Sequence, residues 1–397
     1  MRDGFRQDLA DLTVVDLTSM IAGPTCSRLF AELGANVIHV EPPAGDDGRN
    51  TTTPFLGREG VFHSVANRSK RGITVDYATA AGRDVLYRLV ERADLFVENT
   101  RPGMLDELGL GYADLSARNP RLVYVSISGW GRKGPLASSP GYDVLIQAFS
   151  GAMVFPPGSD EPVFSAALVG DPTSPLIAAF AAMVALRTRE TTGRGAHVTT
   201  SLLQGALHLL GTTALFPERD EGQMAKGRPG LPGGSGIFAT NDGQRSVICA
   251  WTDAQYRRLC VLAGVPHLGE DPAYGSRLQR QRAAVELNEV FAAWVGGLSQ
   301  SELLDTLQGA GIPCSPVHRG MAPLLGHEHA VANELFLGVE HPDLGVLWEA
   351  GTGFEIDSQR GDVRRAPKQG EHTDEVLAEF GFSPGERARL FEAGTVS

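Results

Sequence analysis

The stretch best suited to covalent chemistry is Val169-Gly170-Asp171-Pro172, where one carboxylate follows a small apolar approach. Gly170 lets the backbone turn or come close to a ligand, and Pro172 suits the first position of a helix. A long apolar segment, Leu176 to Leu186, follows. Asp171 is therefore expected where a strand or loop passes into a helix N-terminus.

Two roles for Asp171 fit this position. As an N-cap, its carboxylate would accept hydrogen bonds from the amides of Thr173 or Ser174. As a nucleophile, it would be held by amide donors and a helix dipole that keep it ionised. The N-cap is the more common role for such a residue, so these residues alone leave both roles open.

The composition indicates a globular protein and excludes several classes of function. The chain has 397 residues, of which 42% are hydrophobic and 21% charged, a length that favours two domains. Its net charge of -12 is opposite to the basic face that a general nucleic-acid binder needs. There is no apolar run of membrane-spanning length, and the first residues lack a signal-peptide core. We expect a cytoplasmic protein without nucleic-acid or membrane partners.

The cysteines and histidines give no metal-binding pattern. The four cysteines, Cys26, Cys249, Cys260 and Cys314, are scattered without the spacing of metal ligands, so we expect reduced structural thiols. His63 and His197 are interpreted as structural residues rather than catalytic ones.

Short apolar strands alternate with amphipathic helices in the first part of the chain, which predicts a parallel α/β sheet with right-handed crossovers. Strands are predicted at Leu12–Leu17, Asn36–Glu41, Gly72–Val75, Leu95–Glu98 and Leu122–Ser128. A dinucleotide site is excluded because the first turn has one glycine where the fingerprint needs three. Loops at the carboxyl ends of the strands, at Asn99, Arg101 and Gly129, are candidate binding positions.

A second domain is predicted where the composition changes, at about Phe216. Lys226–Gly236 is rich in glycine and predicts a mobile loop, either an active-site lid or a linker. A hairpin is predicted around Asn241–Gln244, followed by helices to about Leu307. Residues 216–330 are therefore predicted to form a small α+β domain.

A loop-like stretch, Asp46–Gly60, precedes a cluster of cations at Arg68-Ser69-Lys70-Arg71. The cluster is either a solvated run of charge or a phosphate site at the edge of a strand. The sequence does not decide between the two.

Many short segments, in order, resemble the class III coenzyme A transferases, the family of formyl-CoA transferase and the carnitine CoA-transferases. No single segment is specific, but their order along nearly the whole chain is. The matching segments are Ile21–Pro24, Gly34–Glu41, Asn67–Arg71, Val75-Asp76, Ala93-Asp94, Val97–Asn99, Arg101–Gly103, Gly141–Asp143, Gly170-Asp171, Thr192–Gly195, Gly311–Cys314 and His372–Asp374.

The resemblance implies a large Rossmann-like α/β domain with a parallel sheet, a small α+β domain and an interlocked homodimer. Both chain ends would build the large domain, from residues 1–215 and from a C-terminal segment, 331–397, that returns to it.

The resemblance also implies an activity. CoA would move from an acyl-CoA thioester to a carboxylic acid, with CoA as a substrate and no metal or redox cofactor. Asp171 would be the nucleophile, forming first a mixed anhydride and then an aspartyl-CoA thioester. Backbone amides near Gly170 and in the loop Gly233–Gly236 are expected to stabilise the oxyanion, and that loop to exclude water.

Further site residues follow from the matching positions. The implied CoA-binding residues are Met20, Arg71, Val75, Asn99, Thr100, Arg101 and Leu108. The implied substrate pocket and lid comprise Ile21, Tyr142, Gly233, Gly234 and Gly236. Because several family cations are replaced here, the CoA phosphates are expected to contact Arg71, Arg101, Arg132 or Lys133.

Two departures from the family bear on the substrate. The family's racemases carry a histidine where this chain has Tyr142, which disfavours a racemase. Ile21 replaces a glutamine of formyl-CoA transferase and suits a larger acyl group. The alternatives are a racemase or isomerase, with Asp171 as a base at the α-carbon, and a non-catalytic acyl-CoA binding protein.

Overall fold

A six-stranded parallel sheet forms the centre of the larger of two units. The computed structural model describes residues 5–50, 55–56, 59–156, 158–211 and 230–397. Contacts within the chain divide it into a large unit, Met1–Leu215 with Glu328–Ser397, and a small unit, Phe216–His327. Within the described ranges, no helix combines the length and the apolar character needed to cross a bilayer.

The sheet confirms the predicted parallel α/β architecture. Its strands are short and almost wholly buried, as expected for a parallel sheet covered by helices on both faces. In spatial order they are Arg71–Thr74, Asn36–Glu41, Thr13–Leu17, Leu95–Glu98, Val123–Ser128 and His197–Ser201.

Helices of the large unit cover both faces of this sheet. One face packs against the helices Ala80–Val90 and Thr373–Glu379 through residues such as Leu86 and Leu377. The other face packs against Ala22–Glu32 and Gly170–Thr192 through residues such as Phe30 and Ala182. The remaining helices of the large unit are Asp47–Asn50, Val61–Ala66, Met104–Glu107, Tyr112–Arg118, Asp143–Ser150, Leu202–Gly211, Glu328–Ala332 and Pro384–Glu392.

Among the residues that the structure describes, three pairs of strands lie outside the central sheet of the large unit. Phe5–Arg6 is parallel to Arg360–Gly361, whereas the pairs Phe55–Leu56 with Glu59–Gly60 and Phe336–His341 with Gly345–Ala350 are antiparallel. The prediction of a loop over residues 46–60 is therefore wrong in part, because this stretch contains a short helix and a strand pair. Residues 51–54 and 57–58 lie outside the described ranges.

The strand order reverses between Thr13–Leu17 and Leu95–Glu98. The strand that follows Thr13–Leu17 in the sequence lies on one side of this pair, and the strand that follows Leu95–Glu98 lies on the other side. In open α/β sheets, ligands bind in the crevice outside the carboxyl ends of the strands at such a reversal. The segments that leave these two ends begin at Thr18 and Asn99. The topology thus directs attention to the loops predicted from the sequence.

Two cations of the cluster, Arg68 and Lys70, match neither of its two interpretations. Arg68 and Lys70 are 2% and 5% exposed and form buried ion pairs with Glu32 and Asp16, at 2.6 Å and 2.8 Å. These partners are distant in sequence, so a local pattern could not reveal them. Arg68 and Lys70 thus join distant segments of the large unit.

The small unit is an α+β arrangement. Its antiparallel sheet has the order Ser235–Ala239, Arg245–Cys249 and Cys314–Pro316, and the first two strands form the predicted hairpin. Tyr256, Leu259 and Phe291 lie in its core. Its helices are Asp253–Leu262, Pro266–Glu270, Arg277–Arg282, Ala284–Val295 and Gln300–Gly309, with 3-10 turns at Pro272–Tyr274 and Ala322–Leu324.

Candidate active site

A cavity of about 400 Å³ opens at the strand reversal of the large unit. The segments that follow three strands of the sheet form its walls, together with first-turn residues of four helices. Its lining comprises Ser19, Met20, Ile21, Ala22, Asp47, Asn99, Thr100, Arg101, Pro102, Ile127, Ser128, Gly129, Ala137, Ser139, Pro140, Gly141, Tyr142, Asp171 and Leu202.

Side-chain hydrogen bonds hold the segment Ser19–Ile21 in place. The Asn99 amide oxygen accepts from the Ser19 N–H at 2.9 Å, and its nitrogen donates to the Ser19 carbonyl at 2.8 Å. The Asp46 carboxylate accepts from the N–H of Met20, which adopts the left-handed conformation (φ 68°) that non-glycine residues rarely take. Such local strain is maintained only by surrounding contacts and is common at binding sites.

Asp46 belongs to a buried polar cluster with His39 and His63, in which one ligand atom per residue lies within 4.8 Å of the others. Histidine and carboxylate groups at this spacing are candidate metal ligands. The His63 nitrogen nearest to Asp46, Nδ1 at 3.6 Å, already accepts a hydrogen bond from the Asn67 side chain. Lys70 donates to the Asn67 oxygen and so fixes that orientation. We therefore assign the cluster a supporting role beneath Met20.

Asp171 lies in the first turn of the helix Gly170–Thr192, but it does not cap that helix. Another carboxylate, that of Asp143, accepts the first N–H groups through a single oxygen. The donors are Val169 at 2.9 Å, Gly170 at 2.7 Å and Asp171 at 3.0 Å. Of the two roles left open for Asp171, the N-cap is therefore wrong. The expectation that amides near Gly170 serve the oxyanion is also wrong, because Asp143 occupies them.

The sequence after Asp171 completes this arrangement. Pro172 has no N–H, so the first turn holds no further amide donor for the Asp171 carboxylate. The first turn is also tightly packed: a Cβ at Gly170 would lie 2.9 Å from the Leu202 carbonyl, and one at Gly205 would lie 2.8 Å from the Ser174 nitrogen. Both glycines are therefore required by the close approach of the helix Leu202–Gly211.

The surroundings of Asp171 disfavour its ionised form. Burial, together with the negative charge of Asp143, raises the pKa of Asp171 to about 7 from its ordinary value of 3.8. The expectation that amide donors and the helix dipole keep this carboxylate ionised is thus wrong. A carboxylate that is poorly stabilised as an anion is instead a stronger base and nucleophile than an ordinary one.

The raised pKa of Asp171 predicts a pH dependence. If the ionised carboxylate is the reacting form, the rate of covalent adduct formation will rise with pH, through a midpoint near 7, to a plateau. The measurement is rapid-quench intact-protein mass spectrometry with an acyl-CoA ester from about pH 5 to about pH 9. A rate that is flat over this range would indicate an ordinary carboxylate and contradict the proposed environment of Asp171.

The cavity brings together about half of the site residues predicted from the sequence. Asp171, Met20, Ile21, Asn99, Thr100, Arg101 and Tyr142 all line it. Val75 and Leu108 do not: Val75 is fully buried in the core, and Leu108 packs against the same core. Arg71 also lies away from the lining, because its guanidinium pairs with Glu375 and Glu379.

The predicted glycine loop is packed within the small unit where the structure describes it. Gly233 and Gly234 are buried, and a Cβ at Gly233 would lie 2.5 Å from the Leu287 side chain. The N–H of Gly234 donates to the Asn288 side chain, and Gly236 belongs to the strand Ser235–Ala239. The prediction of a mobile loop is therefore wrong for residues 233–236, and residues 226–229 lie outside the described ranges.

The sequence interpretation missed the role of Asp143. The Gly141-Tyr142-Asp143 segment drew attention to Tyr142, whereas the structure assigns the first-turn hydrogen bonds of the next helix to Asp143. An acidic residue at the start of a helix is an ordinary N-terminal signal. Its contact with amides more than 25 residues later cannot be inferred from that signal.

Comparison with known proteins identifies the family. The model of the CoA-transferase family III matches residues 9–373. The succinyl-CoA–D-citramalate CoA-transferase of Chloroflexus aurantiacus is 32% identical over 94% of this chain and 94% of its own. The formyl-CoA:oxalate CoA-transferase of Streptomyces avermitilis is 29% identical over 98% and 99%. The succinyl-CoA:glutarate CoA-transferase of Mus musculus is 30% identical over 98% and 90%.

Solved structures agree with these sequence relatives. A CaiB/BaiF family protein from Brucella suis superposes with a TM-score of 0.79 and 29% identity, over 94% of this chain and 100% of that one. The M. tuberculosis protein Rv3272 superposes with a TM-score of 0.79 and 28% identity, over 93% of this chain and 98% of that one. The chain belongs to CoA-transferase family III. It is a class III CoA-transferase, an enzyme that uses CoA thioesters as substrates.

Proposed function

We propose that this enzyme transfers CoA from an acyl-CoA to a carboxylic acid through covalent intermediates on Asp171. A carboxylate oxygen of Asp171 attacks the thioester carbonyl, and the carbon–sulfur bond breaks to release CoA thiolate. The thiolate attacks the Asp171 carbonyl of the resulting anhydride and expels the donor carboxylate. The acceptor carboxylate then attacks the aspartyl-CoA thioester, and the thiolate attacks the acceptor's carbonyl, which restores Asp171.

The observation that carries this proposal is the position and state of Asp171. Its side chain borders the cavity at the strand reversal, and its pKa is raised to about 7. Among the described residues that line the cavity, there is no histidine to act as a second base opposite Asp171. The site therefore supports nucleophilic attack by a carboxylate better than two-base chemistry at an α-carbon.

CoA binding is assigned to the same cavity. We assign its contacts to Met20, Asn99, Thr100 and Arg101, which lie at the ends of two neighbouring strands. Arg101 is the one lysine or arginine among the described lining residues, so it is the assigned partner of a CoA phosphate. Val75 and Leu108 would act only through the packing of the core.

Oxyanion stabilisation needs donors other than the amides near Gly170. The helix Ala22–Glu32 has no side-chain cap on its first turn, and Ala22 borders the cavity. Uncapped N–H groups at a helix N-terminus favour negative charge. We assign these amides to the oxyanion.

The lining also suggests the class of acyl group. Ile21, Ala137, Pro140 and Leu202 are apolar, whereas a second carboxylate on the acyl chain would need a cation besides Arg101. We expect at least a roughly tenfold higher kcat/KM for butyryl-CoA than for succinyl-CoA. Steady-state assays of both esters test this, with Ile21→Gln as a variant that should narrow the difference. A preference of the unaltered enzyme for succinyl-CoA would refute it.

A homodimer is proposed from the exposed apolar surface of the large unit. Leu176, Phe180 and Val184 are 56%, 73% and 51% exposed along one face of the helix Gly170–Thr192, and Phe149 is 62% exposed. Apolar patches of this kind mark interfaces between proteins. The interlocked form predicts that tagged and untagged homodimers exchange no subunits on mixing under native conditions.

Substitution within this patch gives a further test. Phe180→Asp is expected to weaken association at least about tenfold, because it places a charge in an apolar interface. Size-exclusion chromatography with light scattering measures the mass in solution. Val285→Asp, at an exposed position of the small unit, is the matched control and should leave the mass unchanged. A dimer that is unaffected by Phe180→Asp would exclude this face as the interface.

The experiment that tests the function is intact-protein mass spectrometry after incubation with a panel of acyl-CoA esters, repeated with Asp171→Ala. The proposal predicts a CoA-sized adduct that hydroxylamine removes and that the variant lacks. Bound CoA without an adduct would contradict a covalent role for Asp171 and favour a binding protein. Solvent deuterium at the α-carbon of an ester would favour a racemase or isomerase.

A further inference from the structure

Asp143 combines deep burial with an unusual set of partners. Its side chain is 4% exposed, and one of its oxygens accepts the N–H groups of Val169, Gly170 and Asp171. Asp143 is also the first residue of its own helix, Asp143–Ser150. The carboxylate therefore lies at the start of one helix and accepts the first N–H groups of another, and helix N-termini favour negative charge.

Gln147 ties this carboxylate to a second segment. Its side-chain nitrogen donates to the other oxygen of Asp143 at 2.7 Å, and its oxygen accepts from the Ser165 N–H at 2.9 Å. Gln147 is 1% exposed. The side chain of Asp143 is thus held from both sides, and it fixes the backbone that carries Asp171.

We propose that Asp143 is the positioning residue of the transfer reaction: it takes up the amide donors of the Asp171 helix and holds a negative charge next to Asp171, and both effects leave the Asp171 carboxylate weakly stabilised and nucleophilic. The proposal rests on the function proposed above. An aspartate in the first turn of a helix ordinarily gains from the free N–H groups and from the dipole. Here Asp143 uses those groups, and Pro172 supplies none.

The charge of Asp143 acts in the same direction as the loss of donors. A like charge nearby disfavours ionisation of Asp171, in keeping with its raised pKa. The other titratable or charged side chains that line the cavity are Asp47, Arg101 and Tyr142. These three residues are unchanged in the test variants, so an altered titration of Asp171 reports on Asp143.

Two variants separate the charge of Asp143 from its hydrogen bonds. Asp143→Asn keeps an oxygen for the amides but places an N–H₂ group against the side-chain nitrogen of Gln147. In the double variant Asp143→Asn with Gln147→Glu, the new carboxylate accepts from both the asparagine and the Ser165 N–H. The double variant thus restores the hydrogen bonds but moves the negative charge to residue 147, one helical turn away.

The readouts are the titration midpoint of Asp171 and the rate of adduct formation. Infrared difference spectra between each protein and its Asp171→Asn counterpart follow the protonated carboxyl band without any need for turnover. The proposal predicts that the midpoint falls by about one pH unit or more in both variants, and that the plateau rate falls roughly tenfold. The double variant should recover the melting temperature but not the midpoint.

Recovery of both midpoint and rate in the double variant would overturn the proposal, because the negative charge at residue 143 would then have no part in setting the state of Asp171. An unchanged midpoint in Asp143→Asn would overturn it as well. If Asp143→Asn does not fold, the double variant carries the same test. If the unaltered enzyme forms no adduct with any ester, the proposed transfer function fails. The infrared midpoint of Asp171 needs no turnover, so it still reports the effect of Asp143.

Discussion

Asp171→Asn is expected to lower transferase activity by about four orders of magnitude or more, because removing a covalent nucleophile leaves only binding and positioning. Asp171→Glu keeps a carboxylate but displaces it by one methylene, and misplacement of about 1 Å typically costs on the order of a hundredfold. Steady-state assays with the best ester of the panel give both values. The graded loss distinguishes a nucleophile from a residue needed only for its charge.

The same substitution should stabilise the protein, and this provides an independent check. Since the pKa of Asp171 is raised on folding, its ionisation weakens the folded state as pH increases from the ordinary value toward about 7. The pKa shift of Asp171, discounted for its partial exposure, corresponds to a loss of unfolding free energy on the order of 2 kcal/mol. Asp171→Asn should therefore melt higher than the unaltered enzyme at about pH 8, and the difference should vanish near pH 4.

An Asp171→Asn variant that is inactive but melts at the same temperature as the unaltered enzyme would show that the surroundings of Asp171 do not disfavour its ionised form. A variant with substantial remaining activity would remove Asp171 from the chemistry altogether. Asp362→Asn alters another partly buried carboxylate of the large unit, so it serves as a control for effects of charge removal alone.

Lys70→Met is expected to destabilise the large unit by about 3–5 kcal/mol, the typical cost of leaving a buried charge without its partner. The Lys70 ammonium donates to Asp16 at 2.8 Å, to the Pro24 carbonyl at 2.8 Å and to Asn67 at 2.7 Å. Burial opposes ionisation of Asp16, but the charges of Lys70 and His39 hold the pKa of Asp16 below its usual range. Without Lys70, Asp16 keeps its contacts with Ser27 and His39 but loses its buried ammonium partner, and the Asn67 oxygen loses its donor.

Thermal melting, together with hydrogen exchange of the strand Thr13–Leu17, measures this effect. Arg71→Met is the matched control, because it removes the neighbouring cation from ion pairs whose carboxylates are 69% and 47% exposed. Exposed ion pairs contribute roughly 0–1 kcal/mol, so Arg71→Met should melt nearly as the unaltered enzyme does. Equal losses of melting temperature in the two variants would contradict the assignment of Lys70 to a stabilising buried ion pair with Asp16.

The Arg71 control also bears on CoA binding. The sequence resemblance placed Arg71 at the CoA phosphates, whereas the structure pairs it with Glu375 and Glu379. We expect an unchanged KM for acyl-CoA in Arg71→Met and a raised one in Arg101→Met, since Arg101 lines the cavity.

The elements that position the site follow largely from local patterns. Strands such as Asn36–Glu41 and Leu95–Glu98 are short runs of apolar residues that only a sheet covered on both faces can bury, and they were predicted within a residue. The candidate loops at Asn99 and Arg101 then follow from the rule that ligands bind at the carboxyl ends of parallel strands. The matching segments of the family added Asp171.

The parts that the sequence did not reveal depend on distant partners. Arg68 pairs with Glu32 and Glu349, and the latter is 281 residues away, so a charge run gave no sign of a buried network. Asp143 likewise contacts the amides of the Asp171 helix only in the folded chain, because these residues are more than 25 positions apart in the sequence. Gly233 and Gly234 resemble a flexible loop by composition, yet their missing side chains make room for a core.

The central claim, that CoA transfer passes through bonds to Asp171, is tested most directly by isotope transfer. The enzyme is incubated with an acyl-CoA that forms the adduct and with the same acid labelled in its carboxylate with ¹⁸O, so that no other acceptor is needed. The acid's oxygen becomes the bridge of the anhydride and stays on Asp171 when thiolate attacks the acyl carbonyl. We predict ¹⁸O in the peptide that contains Asp171, and exchange of CoA without label there would contradict the account.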